Sequence, residues 1–327
     1  MSSSSPPQKV SMTTQTLTGE RTTAEYARGA LFGLAAVSIW AGNIVVAGLG
    51  LRSSLTPWDI SAIRFAVAGL ILVPYLMRKG LALDRLGCIG LAALVLGGAP
   101  TVLLANAGLL FAPASHAGAL FPGVMPLMVA VLAAAVLKEA FTPQKRVGFA
   151  LIGTGVVGIV CGNGGSFGTA QNIGHLLFLG SALAFACYTV AMRRARLDGL
   201  HAAAISAVGS MLVYVPPYAI AAGASVFDAS PSAIALQALV QGLLTAVISY
   251  IVYGLAVSIL GASSGAAFAA SCPAITAIMA IPILGEWPSA IDWIAIALIS
   301  IGVYVVSGGP LAGERRSRLT ANRHLIE

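Results

Sequence analysis

Long uncharged apolar runs recur along this chain, and they constrain its fold more than any other feature. A bilayer core about 30 Å thick is crossed by roughly 20 helical residues at 1.5 Å each. Runs of that size occur ten times, at 28–50, 58–77, 87–111, 114–137, 144–162, 173–193, 200–222, 232–258, 263–284 and 288–308. The shortest separations, 111–114 and 259–263, are marked by Pro113 and by the small-residue run Gly261 to Gly265. Lipid offers the backbone no hydrogen-bond partner, so each span is expected to be a helix. The alternating short strands of a membrane β-barrel are not in the pattern. Only 9% of the residues are charged, against about 25% in a soluble domain. That excludes a water-soluble enzyme, a secreted disulfide scaffold and a disordered chain. The expected fold class is an all-α integral membrane protein with ten transmembrane helices.

Net charge is +7, which would suit a nucleic-acid partner if the basic residues formed one face. They are instead distributed by loop. Alternate loops and both tails hold Lys9, Arg21, Arg28, Arg78, Lys79, Arg85, Lys138, Lys145, Arg146, Arg193, Arg194, Arg196, Arg315, Arg316, Arg318 and Arg323, sixteen of the eighteen Lys and Arg. The opposite loops hold Arg52 alone, and Arg64 falls inside a span. Basic loops stay cytoplasmic, so both termini are expected inside, with no nucleic-acid partner. The plasma (inner) membrane of a bacterium is the expected location. The polar stretch 1–27 has no apolar core of a signal peptide and reads as a disordered tail; 310–327 reads as a basic tail. Cys88, Cys161, Cys187 and Cys272 all lie in apolar runs without metal-ligand spacing, so they read as small core residues. No cofactor or metal is expected.

The two halves resemble each other. Gly29 to Asn43 aligns with Gly174 to Tyr188, placing Trp40 over Phe185 and Asn43 over Tyr188. His116 to Glu139 aligns with Ser263 to Glu286, matching Gly118, Phe121, Pro126, Leu137 and Glu139 to Gly265, Phe268, Pro273, Leu284 and Glu286. Five spans per half is an odd number, so the second copy, 173–309, enters the membrane inverted relative to the first, 28–162. Inverted repeats are the architecture of many secondary transporters, with a site near the midplane between them.

The ends of the halves, Leu137 to Val157 and Leu284 to Val306, share an apolar helix, a Glu, a short polar turn and a Leu-Ile-x-x-Gly helix. With Ile63 to Phe65 in the second span, they resemble the EamA-type family of the drug/metabolite transporter superfamily. The resemblance implies ten helices, two five-helix repeats and export of small metabolites, often amino acids. General similarity points further to its aromatic amino-acid exporters.

Arg64 is the most informative residue, because a charge inside a span is costly to insert. It reads either as a guanidinium for a substrate carboxylate or as a side chain that snorkels outward or pairs with Asp59. His116 reads as a pocket hydrogen-bond donor, a protonatable site or an interfacial histidine; His175, His201 and His324 are given no role. Asn43 and Asn106 are amides within spans 1 and 3, and Trp40 shares a helix face with Asn43. Their counterparts include Tyr188 and Tyr253, so the expected pocket is cationic and amide-rich on one side and aromatic on the other. Pro100, Pro126 and Pro273 fall near the middles of spans and are expected to kink them for gating. No Asp or Glu sits at a span centre, so no carboxylate relay is expected, and His116 leads for any proton coupling.

Gly153 to Gly158 spells GxGxxG but follows no strand, so the glycines read as helix-packing positions. Gly261 to Gly265 spells GxSxG without the strand-to-helix turn a nucleophile elbow needs. The expectation is therefore a transporter of small amphiphilic metabolites, partnered by lipid and a small-molecule substrate, and not an enzyme. A sugar-phosphate or nucleotide-sugar carrier and a membrane-embedded enzyme are the alternatives. Monomer and homodimer are both open.

Overall fold

The computed structural model describes residues 23–139, 141–162, 170–222 and 225–308. The expected tails therefore lie outside the described residues, apart from 23–27, which already belong to the first helix. Regular structure among the described residues is helical throughout. The helices are α1 (Thr23–Leu51), α2 (Pro57–Lys79), α3 (Leu83–Leu96), α4 (Ala99–Gly108), α5 (Ala114–Leu120), α6 (Met125–Leu137) and α7 (Pro143–Cys161). The second half continues with α8 (Ala170–Arg194), α9 (Gly199–Ala222), a short 3-10 turn, α10 (Pro231–Gln237), a π-helical stretch (Ala238–Ile248) and α11 (Ser249–Leu260). It ends with α12 (Ala262–Ala270), α13 (Cys272–Leu284) and α14 (Ala290–Val306).

Among the described residues, eight stretches are long and apolar enough to cross a membrane: Ala24–Leu51, Pro57–Lys79, Leu83–Gly108, Ala114–Leu137, Pro143–Cys161, Ala170–Arg194, Gly199–Ala222 and Pro231–Leu260. They follow the first eight expected runs closely. The last two runs give shorter apolar helices. The ninth is split at Ser271, and the tenth begins only at Ala290, behind its cap Ser289. Large apolar side chains such as Leu70, Leu176, Leu212, Val213 and Ile294 point outward, as they must where the surrounding solvent is hydrocarbon.

The three prolines correct the sequence expectation. Pro100, Pro126 and Pro273 do not kink continuous helices; each is the second residue of a new helix, α4, α6 or α13. A helix start has unpaired N–H groups in any case, so proline loses no bond there. The span is broken rather than bent. Between α3 and α4 the break is held from α9: the Ala99 N–H donates to Ser210 Oγ at 3.0 Å. A Cβ on Gly98 would lie 2.0 Å from that same oxygen, so only glycine fits at the break.

Helix starts elsewhere are capped by side chains. Thr56 Oγ1 accepts the Asp59 N–H at 3.2 Å, and Asp59 Oδ2 accepts the Thr56 N–H at 2.7 Å. This reciprocal cap fixes the entry to α2. Thr56→Ala is expected to cost about 1 kcal/mol of stability, read as a lower thermal-unfolding midpoint of the detergent-purified protein.

The repeat is visible in the packing of the helices that end the two halves, α7 and α14. A Cβ on Gly155 would lie 2.6 Å from the Ile299 side chain and 2.7 Å from the Ala295 carbonyl oxygen. A Cβ on Gly302 would lie 2.7 Å from both the Ile152 side chain and the Gly148 carbonyl oxygen. These contacts are reciprocal: Gly155 and Ile152 of one helix stand in the places of Gly302 and Ile299 of the other. Small residues let membrane helices approach backbone to backbone. Gly158 also faces Ala295, whereas Gly153 faces open space. The glycines of the GxGxxG string are therefore packing positions in part.

Candidate functional site

Arg64 projects from the second turn of α2 into the contact between the two halves. Its Nη1 donates to Asn43 Oδ1 at 3.2 Å and to Gln241 Oε1 at 3.1 Å. Gln241 closes the triangle, since its Nε2 donates to the Asn43 carbonyl oxygen at 3.1 Å. The guanidinium carbon lies 5.9 Å from the centre of the Phe65 ring. Arg64 Nε is buried and has no hydrogen-bond partner among the described residues. A buried, unused donor of a charged group is costly to leave unpaired. The alternative partner weighed from sequence, Asp59, is engaged elsewhere: it caps α2 and accepts the Tyr218 hydroxyl.

Gln241 was missed by sequence reasoning. The signal was there, since Gln237 and Gln241 are two amides four residues apart in an apolar run and so share a helix face. Gln237 Nε2 donates to the Val46 carbonyl oxygen at 2.7 Å, one turn along α1 from the Gln241 contact. Gln241 also lies in the π-helical stretch Ala238–Ile248. Such stretches are frequent at functional sites.

The aromatic residues gather beside this group. Trp40, one turn from Asn43 on α1, packs against Tyr253 of α11 with ring centroids 5.0 Å apart. Tyr188 of α8 packs on Phe185 at 5.1 Å, and Phe185 meets Phe121 edge-on at 6.3 Å. Gly97, at the α3–α4 break, gives Tyr188 its room: a Cβ there would lie 2.2 Å from the tyrosine's own Cβ. Tyr250 interacts electrostatically with both Arg64 and Tyr188. Asn106 belongs to packing instead. It is buried, and its Nδ2 donates to Ser61 Oγ at 3.3 Å, tying α4 to α2.

His116 forms a second polar group, and here the sequence reading is corrected. Its Nε2 lies 3.0 Å from Asp292 Oδ1 of α14, and its Nδ1 lies 2.9 Å from His175 Nε2 of α8. Gln171 Nε2 approaches the same Nδ1 at 3.3 Å. His116, His175 and Asp292 are 1%, 3% and 4% exposed. His175, to which no role was given, and Asp292, placed near a span end, thus make the carboxylate–imidazole chain that was not expected. The sequence hides it because the three residues come from three helices far apart in the chain.

Ion pairs join the halves at two helix ends. Arg52, just past α1, pairs with Glu286 at 3.0 Å, and Glu286 Oε2 accepts the Ala114 N–H at 2.7 Å. Arg52 also donates to the Leu284 carbonyl oxygen. Arg193, at the end of α8, pairs with Glu139 at 2.6 Å. In each pair an arginine ending the first helix of one half meets the glutamate that follows α6 or α13 in the other.

Among the clefts on the surface of the described residues are two that Arg64 does not line. One of about 320 Å³ lies beside Arg52, Ser53 and Gln237. The other, about 650 Å³, runs between α3, α6 and α8 past Arg85 and Arg194.

No curated protein matches the chain. One solved crystal structure is similar over 85% of this chain and 94% of its own, at 19% identity and a TM-score of 0.52. That likeness speaks to the fold alone. A sequence profile of the EamA-like transporter family matches twice, over residues 27–161 and 172–308. The two matches fall on two copies of one unit, in the same halves whose glutamates and glycines pair reciprocally. The chain belongs to the EamA-like transporter family, part of the drug/metabolite transporter superfamily.

Proposed function

We propose that the protein is a secondary transporter that exports small amphiphilic metabolites by alternating access. Its preferred substrates are amino acids, foremost those with aromatic or other large apolar side chains. The unused Nε donor of Arg64 carries this reading. It is a fixed positive group at the contact of the two repeats, with one donor free for a carboxylate and the Trp40–Tyr253 pair close by for an apolar body. A guanidinium recognises a carboxylate through two parallel donors. Polyanions such as sugar phosphates would call for further buried bases, and Arg64 is the basic residue of this group.

In this reading α12 and α13 together make the ninth span and α14 the tenth. Both termini face the cytoplasm of a bacterium, and the protein lies in its inner membrane. Arg52–Glu286 then fastens the outer face and Arg193–Glu139 the inner face. Each pair must part when its face opens. Glu286→Gln is expected to favour the outward-open form and Glu139→Gln the inward-open form. The shift expected is about fivefold in each case, equivalent to about 1 kcal/mol for a partly exposed pair. Accessibility of engineered cysteines from either side would show it. Equal effects of the two variants would count against alternating access between these faces.

The test of the substrate is uptake into proteoliposomes of labelled amino acids, sugar phosphates and nucleotide sugars. Saturable flux of large apolar amino acids is expected. Flux of a phosphorylated sugar alone would replace the reading.

A further inference from the structure

The His116–His175–Asp292 chain takes no part in binding substrate in the reading above, yet it is the most deeply buried set of ionisable groups that touch one another among the described residues. Asp292 Oδ2 accepts the Ser289 N–H at 2.9 Å, and Oδ1 faces His116 Nε2. With Asp292 taken as a carboxylate, His116 carries its proton on Nε2. His116 Nδ1 is then an acceptor, and its donors are His175 Nε2–H and the Gln171 amide. This leaves His175 Nδ1 as a buried lone pair, and among the described residues no group bonds to it. The chain as drawn holds a net charge of −1 and has one vacant proton position.

We propose that this chain is a proton-binding site of capacity one that locks the outer face of the transporter. It rests on the alternating-access reading, because the lock joins the repeats: His116 comes from the first, His175 and Asp292 from the second. One added proton occupies His175 Nδ1, or passes along the ring-to-ring bond so that His116 becomes the imidazolium. Either way the heavy atoms stay in place and the net charge falls to zero. The contact of repeat to repeat then gains a cation beside a buried carboxylate. A second proton would set N–H against N–H across 2.9 Å and is refused. Opening the outer face separates His116 from Asp292 and removes this advantage. The closed form therefore binds the proton more tightly, and by linkage protons favour closure.

The other charged groups near α5 do not compete. Asp292 is the group α14 supplies, and His175 is the one α8 supplies. Glu286, whose Oε2 accepts the Ala114 N–H, is held by Arg52. Neither α1 nor α13 presents an ionised side chain to α5, and α7 ends in the exposed Cys161. The lock would respond to the acidity of the medium outside.

The test uses the full chain in lipid nanodiscs without substrate. In a background with the four native cysteines replaced, Ala117→Cys reports opening beside His116, and Ser53→Cys on the exposed outer turn corrects for thiol chemistry. The maleimide labelling ratio of Ala117→Cys to Ser53→Cys should fall at least fivefold from pH 8 to pH 5.5. It should not vary with pH when Asp292→Asn or His116→Gln is added. Nitrogen-15 histidine spectra should show the pair taking up one proton between pH 8 and 5 while its second imidazole stays neutral. A ratio constant with pH in the parent chain, or two imidazoles charging independently, would overturn the proposal. If the ratio falls as expected but no amino acid is transported, the lock stands and the substrate reading fails.

Discussion

Replacing Arg64 with alanine should abolish saturable transport at ordinary substrate concentrations while leaving a folded protein. Charge-assisted hydrogen bonds contribute about 1.5–3 kcal/mol, so loss of the carboxylate contact should weaken binding by roughly 10- to 100-fold. The cost to folding is smaller than that of most buried charges. Arg64 is only partly buried, and its partners Asn43 and Gln241 still bond each other through the Gln241 amide and the Asn43 carbonyl oxygen. Arg64→Lys separates charge from geometry. An ammonium can keep a bond to Asn43 or Gln241 but cannot also present the fork that Nε completes. It should recover part of the affinity, and the KM should remain well above that of the parent. Measured KM and maximal flux in proteoliposomes decide the matter. Unchanged kinetics in Arg64→Ala would remove Arg64 from the site.

The largest loss of stability should come from Gly302→Leu. The added side chain meets the Gly148 backbone and Ile152 at 2.7 Å, and a backbone oxygen cannot turn aside as a side chain can. The α7–α14 contact must widen along its length, at a cost of about 3 kcal/mol, the upper end for overpacking. Gly155→Leu should cost a similar amount, because it meets the Ala295 carbonyl oxygen and Ile299 in the same way. Gly153→Leu is the control: it is on the same helix and nothing lies within 4 Å of its Cβ. It should change stability by less than about 0.5 kcal/mol. Unfolding midpoints in matched detergent would rank the three, and equal losses would show that the seam does not govern them.

Apolar run length makes spans legible in sequence, because the hydrocarbon thickness sets a single scale for every helix. Hence Pro57–Lys79 and Gly199–Ala222 were foreseen within a few residues. What run length cannot register is discontinuity. Leu83–Gly108 reads as one run, yet α3 stops at Leu96 because Ser210, on a helix more than a hundred residues away, holds the restart at Ala99. The same limit applies to the site. Arg64, Asn43, Trp40 and Tyr253 stand out locally, since a charge, an amide or a ring in an apolar run is conspicuous. Gln241 and His175 acquire meaning only from what they touch. Asp292 caps the start of α14, and its other oxygen faces His116.

The reciprocal glycine seam restricts how the halves can move. Where two backbones lie in contact, sliding by even a fraction of a turn would drive Ile152 or Ile299 into a carbonyl. Any motion that keeps α7 and α14 together must therefore be a swing about their shared line, like two covers about the spine of a book. The greatest travel then falls to the elements farthest from that spine.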